Sequence, residues 1–328
     1  MEQQIKDEIQ RVFQLQKKQQ KALRASTAEQ RREKLQRFLN SVIAHEEEII
    51  EAIRKDVRKP YHEVKKAEIE GTKKVIRDNM NNLEKWMAPK EVGSSLSPDA
   101  NGILMYEPKG VTLILGPWNY PFMLTMAPLA ASLAAGNSAI VKLSDFTMNT
   151  SNIAAKVIRD AFDEKEVAIF EGEVEVATEL LDQPFDHIFF TGSTNVGKIV
   201  MTAAAKHLAS VTLELGGKSP TIIDSEYDLM DAAKKIAVGK FVNAGQTCIA
   251  PDYLFIKKDS SRGFYKQSST LDLWRMIIPQ TAANLRRSSM TATSTASKIC
   301  STMPPKKGRK WCSAAYLMPA TARSRQPF

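Results

Sequence analysis

Residues 111–143 decide the fold, and they read VTLILGPWNYPFMLTMAPLAASLAAGNSAIVKL. The apolar run at 111–115 is closed by Gly116-Pro117, a buried helix is predicted over 124–135, and a second apolar run follows at 139–143. Short apolar runs that alternate with helices are typical of a parallel sheet covered on both faces. This segment therefore predicts one strand–helix–strand unit of an α/β protein.

The same pattern continues on both sides of this unit. Further strands are predicted at 187–191, 211–215 and 221–224, and further helices at 150–162, 196–207 and 229–240. Upstream, Ser26-Thr27-Ala28-Glu29 predicts a capping box, and helical spacing then continues to Pro60. A charged helix over 63–86 and a loop over 93–98 follow. The predicted fold class is α/β with a doubly wound, mostly parallel, Rossmann-like sheet, which binds ligands beyond the carboxyl ends of its strands.

The composition excludes several classes of protein. Of the 328 residues, 43% are hydrophobic and 25% are charged, which are ordinary globular values. We expect neither a membrane segment nor a secretory signal, because no apolar stretch reaches about 18 residues and the first residues are polar. Three cysteines cannot build a disulfide scaffold, which favours a reducing, cytoplasmic location. The four histidines are scattered without metal-ligand spacing, so no metal site is expected.

The net charge of +9 is concentrated at the end of the chain. Residues 259–328 hold 12 Lys+Arg and 2 Asp+Glu, a net charge of +10; the totals of 46 and 37 leave 34 basic and 35 acidic residues before that point, a net charge of −1. This tail also holds 18 Ser or Thr residues. Its aromatic residues are not interleaved with basic ones on one face, so we do not expect nucleic-acid binding.

Two motifs at predicted strand ends suit polar chemistry. In Gly116–Phe122, two prolines fix the backbone around Asn119, whose amide either donates to a developing oxyanion or caps a rigid turn. In FFTGSTNVGK (189–198), the helix start and the Ser193 hydroxyl suit a pyrophosphate, although the glycine spacing is not the dinucleotide fingerprint. A tight strand–helix turn is the alternative for this second motif.

Two further motifs carry an acid and a thiol. Glu214 ends an apolar strand before two glycines; it is either desolvated, which favours a general base, or a surface acid at a strand end. Cys248 is the only cysteine before the basic tail and lies in a segment of small residues, where a thiolate could be activated. A buried, inert cysteine is the alternative. His187 and His207 are interpreted as structural.

Five motifs in this order resemble the aldehyde dehydrogenase superfamily, specifically its class 3-like branch. They are GPWNYPF (116–122), IVKLSD (140–145), FFTGSTNVGK (189–198), LELGGKSP (213–220) and GQTCIAPDY (245–253). The resemblance covers about residues 5 to 258. It implies NAD(P)-dependent oxidation of an aldehyde to a carboxylic acid.

The resemblance also implies roles for individual residues. Cys248 matches the nucleophile that forms a thiohemiacetal, Asn119 the oxyanion donor, and Glu214 the base that activates water to hydrolyse the thioester. We expect the Cys248 sulfur and the Asn119 side chain within about 6 to 8 Å of each other, which leaves room for one carbonyl. The cofactor is NAD or NADP, since Asp145 stands where the family usually has Glu. The residues implied to hold it are Trp118, Lys142, Gly192, Ser193, Gly197 and Leu215.

The resemblance divides the chain into three parts. Residues 1–213 are expected to form the NAD(P)-binding domain, with a strand-rich excursion near 95–110, and residues 214–258 the start of an α/β catalytic domain. Residues 259–328 match none of the family's later motifs, including its dimer-forming hairpin, so the family's homodimer is in question here. Alternatives are a catalytically dead nucleotide-binding remnant and a CoA-acylating dehydrogenase, which Glu214 argues against.

The tail has the character of a frameshifted segment. If the gene is read one base earlier, each new codon takes the last base of one codon and the first two bases of the next. Because Met and Trp have single codons, the new codon is fixed at three junctions. It encodes Asp at Met290-Thr291, Ala at Met303-Pro304 and Val at Trp311-Cys312. The remaining junctions over 289–315 permit a helix-then-strand pattern similar to the family's. A genuine disordered tail is the alternative. We expect this chain to be poorly soluble and inactive, and residues past about 260 to have no stable packing onto the sheet and no role in any site.

Overall fold

The computed structural model describes residues 2–93, 101–257, 261, 263 and 264. The chain forms two compact units, the first ending at Leu215 and the second beginning at Gly216. The helices of the first unit are α1 (Glu2–Arg24), α2 (Ala28–Ala44), α3 (Glu46–Val57), α4 (Tyr61–Glu63), α5 (Gly71–Met87), α6 (Met123–Ala134), α7 (Met148–Ala161), α8 (Val174–Leu181) and α9 (Thr194–Ala205). Its strands are β1 (Lys90–Val92), β2 (Gly102–Leu104), β3 (Val111–Leu115), β4 (Ser138–Lys142), β5 (Val167–Ile169), β6 (His187–Gly192) and β7 (Ser210–Leu215).

A five-stranded parallel sheet of order β5-β4-β3-β6-β7 forms the centre of the first unit. Leu115 at the end of β3 is in register with Lys142 of β4 and with Phe190 of β6. The chain moves outward from β3 through β4 to β5, and then returns to place β6 on the other side of β3. The strand order therefore reverses between β3 and β6, which is where doubly wound sheets bind ligands.

Both faces of the sheet are covered, as the apolar runs predict. Ile114 and Val141 belong to the core shared with α2, α3, α5, α6 and α7. Leu113 and Ile140 belong to the opposite core, which α1, α8 and α9 complete. Alternate residues of one strand thus enter opposite cores, so nearly every position of β3 and β4 is buried. The predicted α/β, doubly wound, Rossmann-like class is confirmed.

The predicted strands and helices are found with ends shifted by a few residues, but the first cap differs. Thr27, not Ser26, is the N-cap of α2: its hydroxyl accepts from Gln30 N–H, and the Gln30 side chain accepts from Thr27 N–H. The Ser26 hydroxyl donates instead to the Leu23 carbonyl. The capping box is therefore Thr-x-x-Gln, one residue later than predicted.

The predicted 63–86 helix is interrupted in its character. A π-helical stretch, Val64–Glu70, joins α4 to α5. Two short elements between α7 and β6, namely β5 and α8, are not among the strands and helices predicted from the sequence. Of the antiparallel pair β1–β2, in which Lys90 lies opposite Leu104, only β2 falls within the strand-rich excursion expected near 95–110. The loop predicted over 93–98 lies outside the described residues except for Gly93.

In the second unit, β8 (Ser219–Ile222) and β9 (Pro251–Phe255) pair in parallel, and α10 (Leu229–Phe241) packs on them. Phe264 is buried in the same core, with Leu254 and Ile236. An aromatic side chain just past residue 260 therefore still covers apolar surface of the second unit. The rest of the tail, with its frameshift prediction, lies outside the described residues. Among the helices described, none is long and apolar enough to cross a membrane.

Candidate functional site

The predicted motifs of the first unit meet at one edge of its sheet. The loop 116–122 follows β3, Lys142 ends β4, Gly192 ends β6, and Leu215 ends β7. Because these strands are parallel and adjacent, their carboxyl ends lie side by side. The loop after β3 and the turn after β6 flank the point where the strand order reverses. The structure therefore brings these predicted segments together.

The loop 116–122 is fixed by its own backbone contacts. Gly116 N–H donates to the Lys142 carbonyl at 2.9 Å, which ties the start of the loop to β4. A Cβ on Gly116 would collide with the Thr125 hydroxyl, so only glycine fits there. That hydroxyl donates to the Pro121 carbonyl at 2.8 Å. Rigid backbone around Asn119, as the two prolines predict, is thus observed.

A buried ion pair also contacts this loop. Lys59 Nζ donates to Glu68 Oε1 at 2.5 Å and to the Asn119 carbonyl at 3.1 Å, and lies 3.9 Å from the centre of the Tyr120 ring. Glu68 Oε2 accepts from Phe122 N–H at 3.2 Å and from Met123 N–H at 2.9 Å. Both charged side chains are almost fully buried. The loop is therefore held by two charges from outside it.

Burial shifts both members of this pair toward their neutral forms. Loss of water raises the pKa of Glu68, while Lys59 and the two backbone N–H donors oppose that rise. Loss of water likewise lowers the pKa of Lys59, and the nearby Glu68 carboxylate opposes this. The contacts with the loop are what replace the lost hydration.

Lys142 is a buried amine at the end of β4. Its Nζ donates to the Leu143 carbonyl at 3.1 Å. Burial lowers the pKa of Lys142, and the charge of Asp145 opposes this shift. Asp145 begins a short 3₁₀ turn, Asp145–Thr147, directly after the strand. A lysine and an acid thus stand together beside the loop 116–122.

The turn after β6 leaves little space for side chains. The Ser193 hydroxyl is the N-cap of α9 and accepts from Val196 N–H at 3.3 Å. A Cβ on Gly192 would collide with the Phe190 ring, and a Cβ on Gly197 would lie 2.9 Å from Leu215 Cδ2. Close packing therefore explains why both positions are glycine. The start of α9 stays open beside the sheet edge.

The residues present fit a dinucleotide. The backbone at Gly192 and the start of α9 supply N–H groups without bulky side chains, which suits a phosphate. The buried Thr191 hydroxyl, at the end of β6, has no hydrogen-bond partner among the described residues. Lys142 adds a positive charge, and Trp118 is 41% exposed beside Asn119. Binding residues expected from the resemblance, including Trp118, thus cluster at the sheet edge.

Glu214 differs from one expectation. It lies on β7, the outer strand of the described sheet, and its side chain is exposed. An exposed acid at a strand end was the alternative interpretation. Its position next to Leu215 still puts it at the carboxyl edge of the sheet.

Cys248 follows a strained turn in the second unit. Asn243, Ala244 and Gly245 have φ angles of 53°, 55° and 78°, three consecutive residues in the left-handed region. Gln246 N–H and its side-chain amide both donate to the Asn243 carbonyl, each at 3.0 Å. Cys248 is half-buried and carries a free thiol. Strain of this kind recurs at functional sites.

The predicted structural histidines are placed as expected. His187 hydrogen-bonds the Ser210 hydroxyl through Nδ1 at 2.8 Å and the Thr212 hydroxyl through Nε2 at 3.2 Å. His207 donates to the Asp182 carbonyl at 3.1 Å. Within the described ranges, no cluster of three or more His, Cys, Asp or Glu could hold a metal ion. The 6 to 8 Å separation of Cys248 and Asn119 stays a prediction.

Comparison with known proteins decides the family. The profile of the aldehyde dehydrogenase family matches residues 1–271. The chain belongs to the aldehyde dehydrogenase family. It is 98% identical over 259 residues to "Putative aldehyde dehydrogenase AldX" of Bacillus subtilis (strain 168), a match that covers 79% of this chain and 58% of that relative. Members of aldehyde dehydrogenase family 3 are also similar to it.

Solved aldehyde dehydrogenases share the fold. The substrate-bound AldH of Staphylococcus aureus is 36% identical, with a TM-score of 0.78 over 83% of this chain and 59% of that one. A mutant of the P. syringae indole-3-acetaldehyde dehydrogenase AldA, in complex with NAD+ and IAA, is 25% identical, with a TM-score of 0.73 over 80% of this chain and 54% of that one. The chain spans about half the length of the curated relatives it matches.

Sequence reasoning missed Lys59 and Glu68 in this member of the aldehyde dehydrogenase family. Both stand in strongly charged sequence, where a solvated helix face is the usual interpretation. One signal was available for Glu68. It lies four residues from both Val64 and Thr72, which are buried, so it occupies the inward face of its helix. A carboxylate on such a face needs a partner.

Proposed function

We propose that this aldehyde dehydrogenase family member takes part in NAD(P)-dependent oxidation of an aldehyde to a carboxylic acid. The observation that carries the proposal is the meeting of the Asn119 loop, Lys142 and the Gly192-Ser193 turn at the reversal point of the parallel sheet. A polar sheet edge beside the Asn119 loop suits a dinucleotide that accepts a hydride from the adduct of a bound aldehyde.

The chain's own residues carry the covalent steps. The Cys248 thiolate attacks the aldehyde carbon and forms a thiohemiacetal, whose oxyanion accepts a hydrogen bond from the Asn119 amide. The bound nicotinamide supplies the hydride acceptor. The product of that transfer is a thioester on Cys248. Glu214 takes a proton from water as the water attacks the thioester carbonyl, which releases the carboxylic acid and the thiolate.

The cofactor is proposed to be NAD or NADP. Lys142 and the start of α9 at Ser193 would hold its ribose and phosphate groups, and Gly192 and Gly197 keep the space clear of side chains. Trp118 and Leu215 complete the set of binding residues. Because Asp145 is one methylene shorter than the family's usual Glu, both dinucleotides are titrated in the test below.

The activity test uses two proteins. One is the 328-residue chain, which we propose is itself inactive. The other, called the completed chain, joins residues 1–258 to the remainder of the Bacillus subtilis relative. We expect the completed chain to reduce NAD or NADP with an aldehyde, and its Cys248→Ser variant to bind the dinucleotide without turnover. Full activity of the Cys248→Ser variant would refute the role of Cys248, and no turnover by the completed chain with any aldehyde would refute the assignment.

Two alternative functions remain open to the same assay. A dead nucleotide-binding remnant is favoured if the completed chain binds dinucleotide but never turns over. A CoA-acylating dehydrogenase predicts that coenzyme A, rather than water, consumes the thioester. Glu214 argues against this second function, because a water-activating base diverts the thioester to hydrolysis. The free thiol of Cys248 suits the reducing, cytoplasmic location proposed for the protein.

A further inference from the structure

We infer that Lys59 and Glu68 act as positioning residues for the proposed oxidation, because together they clamp the backbone at Asn119 and at Phe122 and Met123, which follow it. The inference rests on the proposed function, which makes Asn119 the oxyanion donor. Neither residue would touch the substrate. They would act by setting where the Asn119 amide stands before the aldehyde arrives.

Lys59 holds the loop from the Asn119 side. It ends the segment after α3 and precedes Pro60, which fixes the backbone there. Its ammonium has three neighbours that suit a cation: a carboxylate oxygen of Glu68, the Asn119 carbonyl and the face of the Tyr120 ring. Because the lysine is 3% exposed, water does not compete strongly for these contacts. Replacement of Lys59 therefore releases Asn119 at its own carbonyl.

Glu68 holds the loop from the other side. Its second oxygen accepts the N–H groups of Phe122 and Met123, at the start of α6. N–H groups in the first turn of a helix have no intrahelical acceptor, and a negative charge there is favourable. Phe122, the N-cap residue, makes no side-chain cap. A carboxylate from a distant element thus caps α6 and fixes the end of the loop.

The local structure around Glu68 is unusual in a way that fits this role. Glu68 lies in the π-helical stretch Val64–Glu70, and its own carbonyl accepts from the Thr72 hydroxyl at 2.6 Å. Short π-helical stretches alter which side chains share a face and recur at functional sites. A regular helix with a solvated glutamate at this place would avoid the free-energy cost of burying a carboxylate. The observed arrangement keeps a desolvated carboxylate on the loop instead.

Placement of Asn119 matters because an oxyanion donor works only when it is organised in advance. A displacement of about 1 Å at a reacting centre lowers rates on the order of 100-fold. The clamp binds main-chain atoms at positions 119, 122 and 123, so it restricts the whole turn rather than one side chain. A plain stabilising ion pair elsewhere in the unit would have no such link to Asn119.

The test separates positioning from stability by a double substitution. Lys59→Met with Glu68→Met removes both charges and the acceptor of the Phe122 and Met123 N–H groups, at similar side-chain volume. A folded protein is expected, where the single Lys59→Met variant leaves a buried carboxylate unpaired. The matched control is Lys73→Met with Glu46→Met, a part-buried pair of the same unit that joins α3 to α5. Folding is followed by denaturant unfolding of each variant.

Hydrogen exchange on the 328-residue chain tests the clamp without any reaction. We expect the amides of residues 122 and 123 to exchange at least about tenfold faster in the clamp double variant, and at an unchanged rate in the control double variant. Unchanged exchange in the clamp variant would overturn the inference. This arm is independent of the proposed function.

Kinetics on the completed chain test the consequence. We expect the clamp double variant to recover stability relative to Lys59→Met, yet to lose on the order of 10- to 100-fold in kcat with little change in KM for the dinucleotide. Recovery of kcat together with stability would show a merely structural pair and overturn the inference. If the unsubstituted completed chain has no turnover, the proposed function fails and the catalytic role with it, while exchange still decides the clamp.

Discussion

Gly217 lies so close to Cys248 that a Cβ built on the glycine would stand 2.7 Å from the cysteine's carbonyl oxygen. Such a contact is with backbone, which cannot swing aside as a side chain can. A Cβ placed on the neighbouring Gly216 would have no atom of the described residues within 4 Å. Gly216 therefore has space for a side chain and Gly217 does not. Gly217 packs against the turn that carries the candidate nucleophile, Cys248.

We predict that Gly217→Ala disturbs this turn and Gly216→Ala does not. The added methyl of Gly217→Ala must displace the Cys248 backbone, at a cost of about 1–3 kcal/mol typical of overpacking. Pulsed alkylation of Cys248 in increasing denaturant measures the local opening. We expect the Gly217→Ala curve to shift to lower denaturant while the Gly216→Ala curve stays with the parent. Equal curves for the two variants would contradict the close approach.

Ala244 stores strain that a substitution should reveal. Its φ of 55° and ψ of 29° lie in the left-handed region, which costs a residue with a Cβ roughly 1–2 kcal/mol. Ala244→Gly relieves this strain but adds about 0.5–1 kcal/mol of unfolded-state entropy, so it should be neutral or stabilising. Ala244→Val should lower the free energy of unfolding. The same alkylation assay checks both, and a valine variant as stable as the parent would contradict the strained turn.

His45 should make the stability of the first unit fall as pH rises. Its Nδ1 contacts Glu48 at 2.9 Å and its Nε2 contacts Asp160 at 2.7 Å. The hydrogen bond to Glu48, helped by Asp160, raises the pKa of His45, while burial and Lys156 oppose the shift. The folded state thus holds the proton more tightly than the unfolded state. Its stabilising effect is complete below the unfolded value of about 6.5 and is lost as pH rises through the raised pKa.

The measurement is urea unfolding at a series of pH values from about 5.5 to about 8.5. We expect His45→Gln to flatten the decline of unfolding free energy across this range. His62→Gln is the matched control for the loss of a histidine, because His62 is exposed in α4. A His45→Gln slope identical to the parent's would refute this role.

The tail makes a prediction about the gene. We expect residues 259–328 to be the product of a shifted reading frame, because the composition changes abruptly there and the three forced codon junctions fit the family's sequence. Correction of one base near codons 255–275 should restore about 170 residues similar to the family. Sequencing the DNA decides this, and a stop codon within a few triplets of the shifted frame would end the idea. A soluble, active 328-residue chain would also argue against it.

The sheet could be predicted because short stretches of local sequence indicate most of its strands. Residues 111–115 and 138–142 are mostly apolar, and each run is followed closely by a glycine or by polar sequence, so the composition and length of each run are enough to predict a buried strand. The strand β5 has only three residues, Val167–Ile169, and α8 only two turns, which are too short for a periodic signal. The one-residue error at the first cap arose because Ser26 and Thr27 are both good caps and only the structure shows which hydroxyl faces the helix.

The candidate site was predictable only in part. Asn119, Lys142 and Ser193 stand in motifs of consecutive residues, and the parallel topology brings those motifs to one edge. The clamp of Lys59 and Glu68 joins segments about 50 to 60 positions apart from the loop, and no local pattern encodes such a contact. The exposure of Glu214 likewise depends on β7 being the outer strand of the described sheet, which strand order alone determines.

The most direct test of the proposed reaction is the mass of the covalent intermediate. In the completed chain, Glu214→Gln should spare attack by Cys248 and hydride removal but slow hydrolysis, so that an acyl group accumulates when aldehyde and NAD or NADP are added together. Peptide mass spectrometry should find the acyl mass on the peptide that contains Cys248, only when both reactants are present, and Cys248→Ser should abolish it. An acyl group on another residue, or an unchanged steady-state rate for Glu214→Gln with no adduct, would contradict the proposed roles of Cys248 and Glu214.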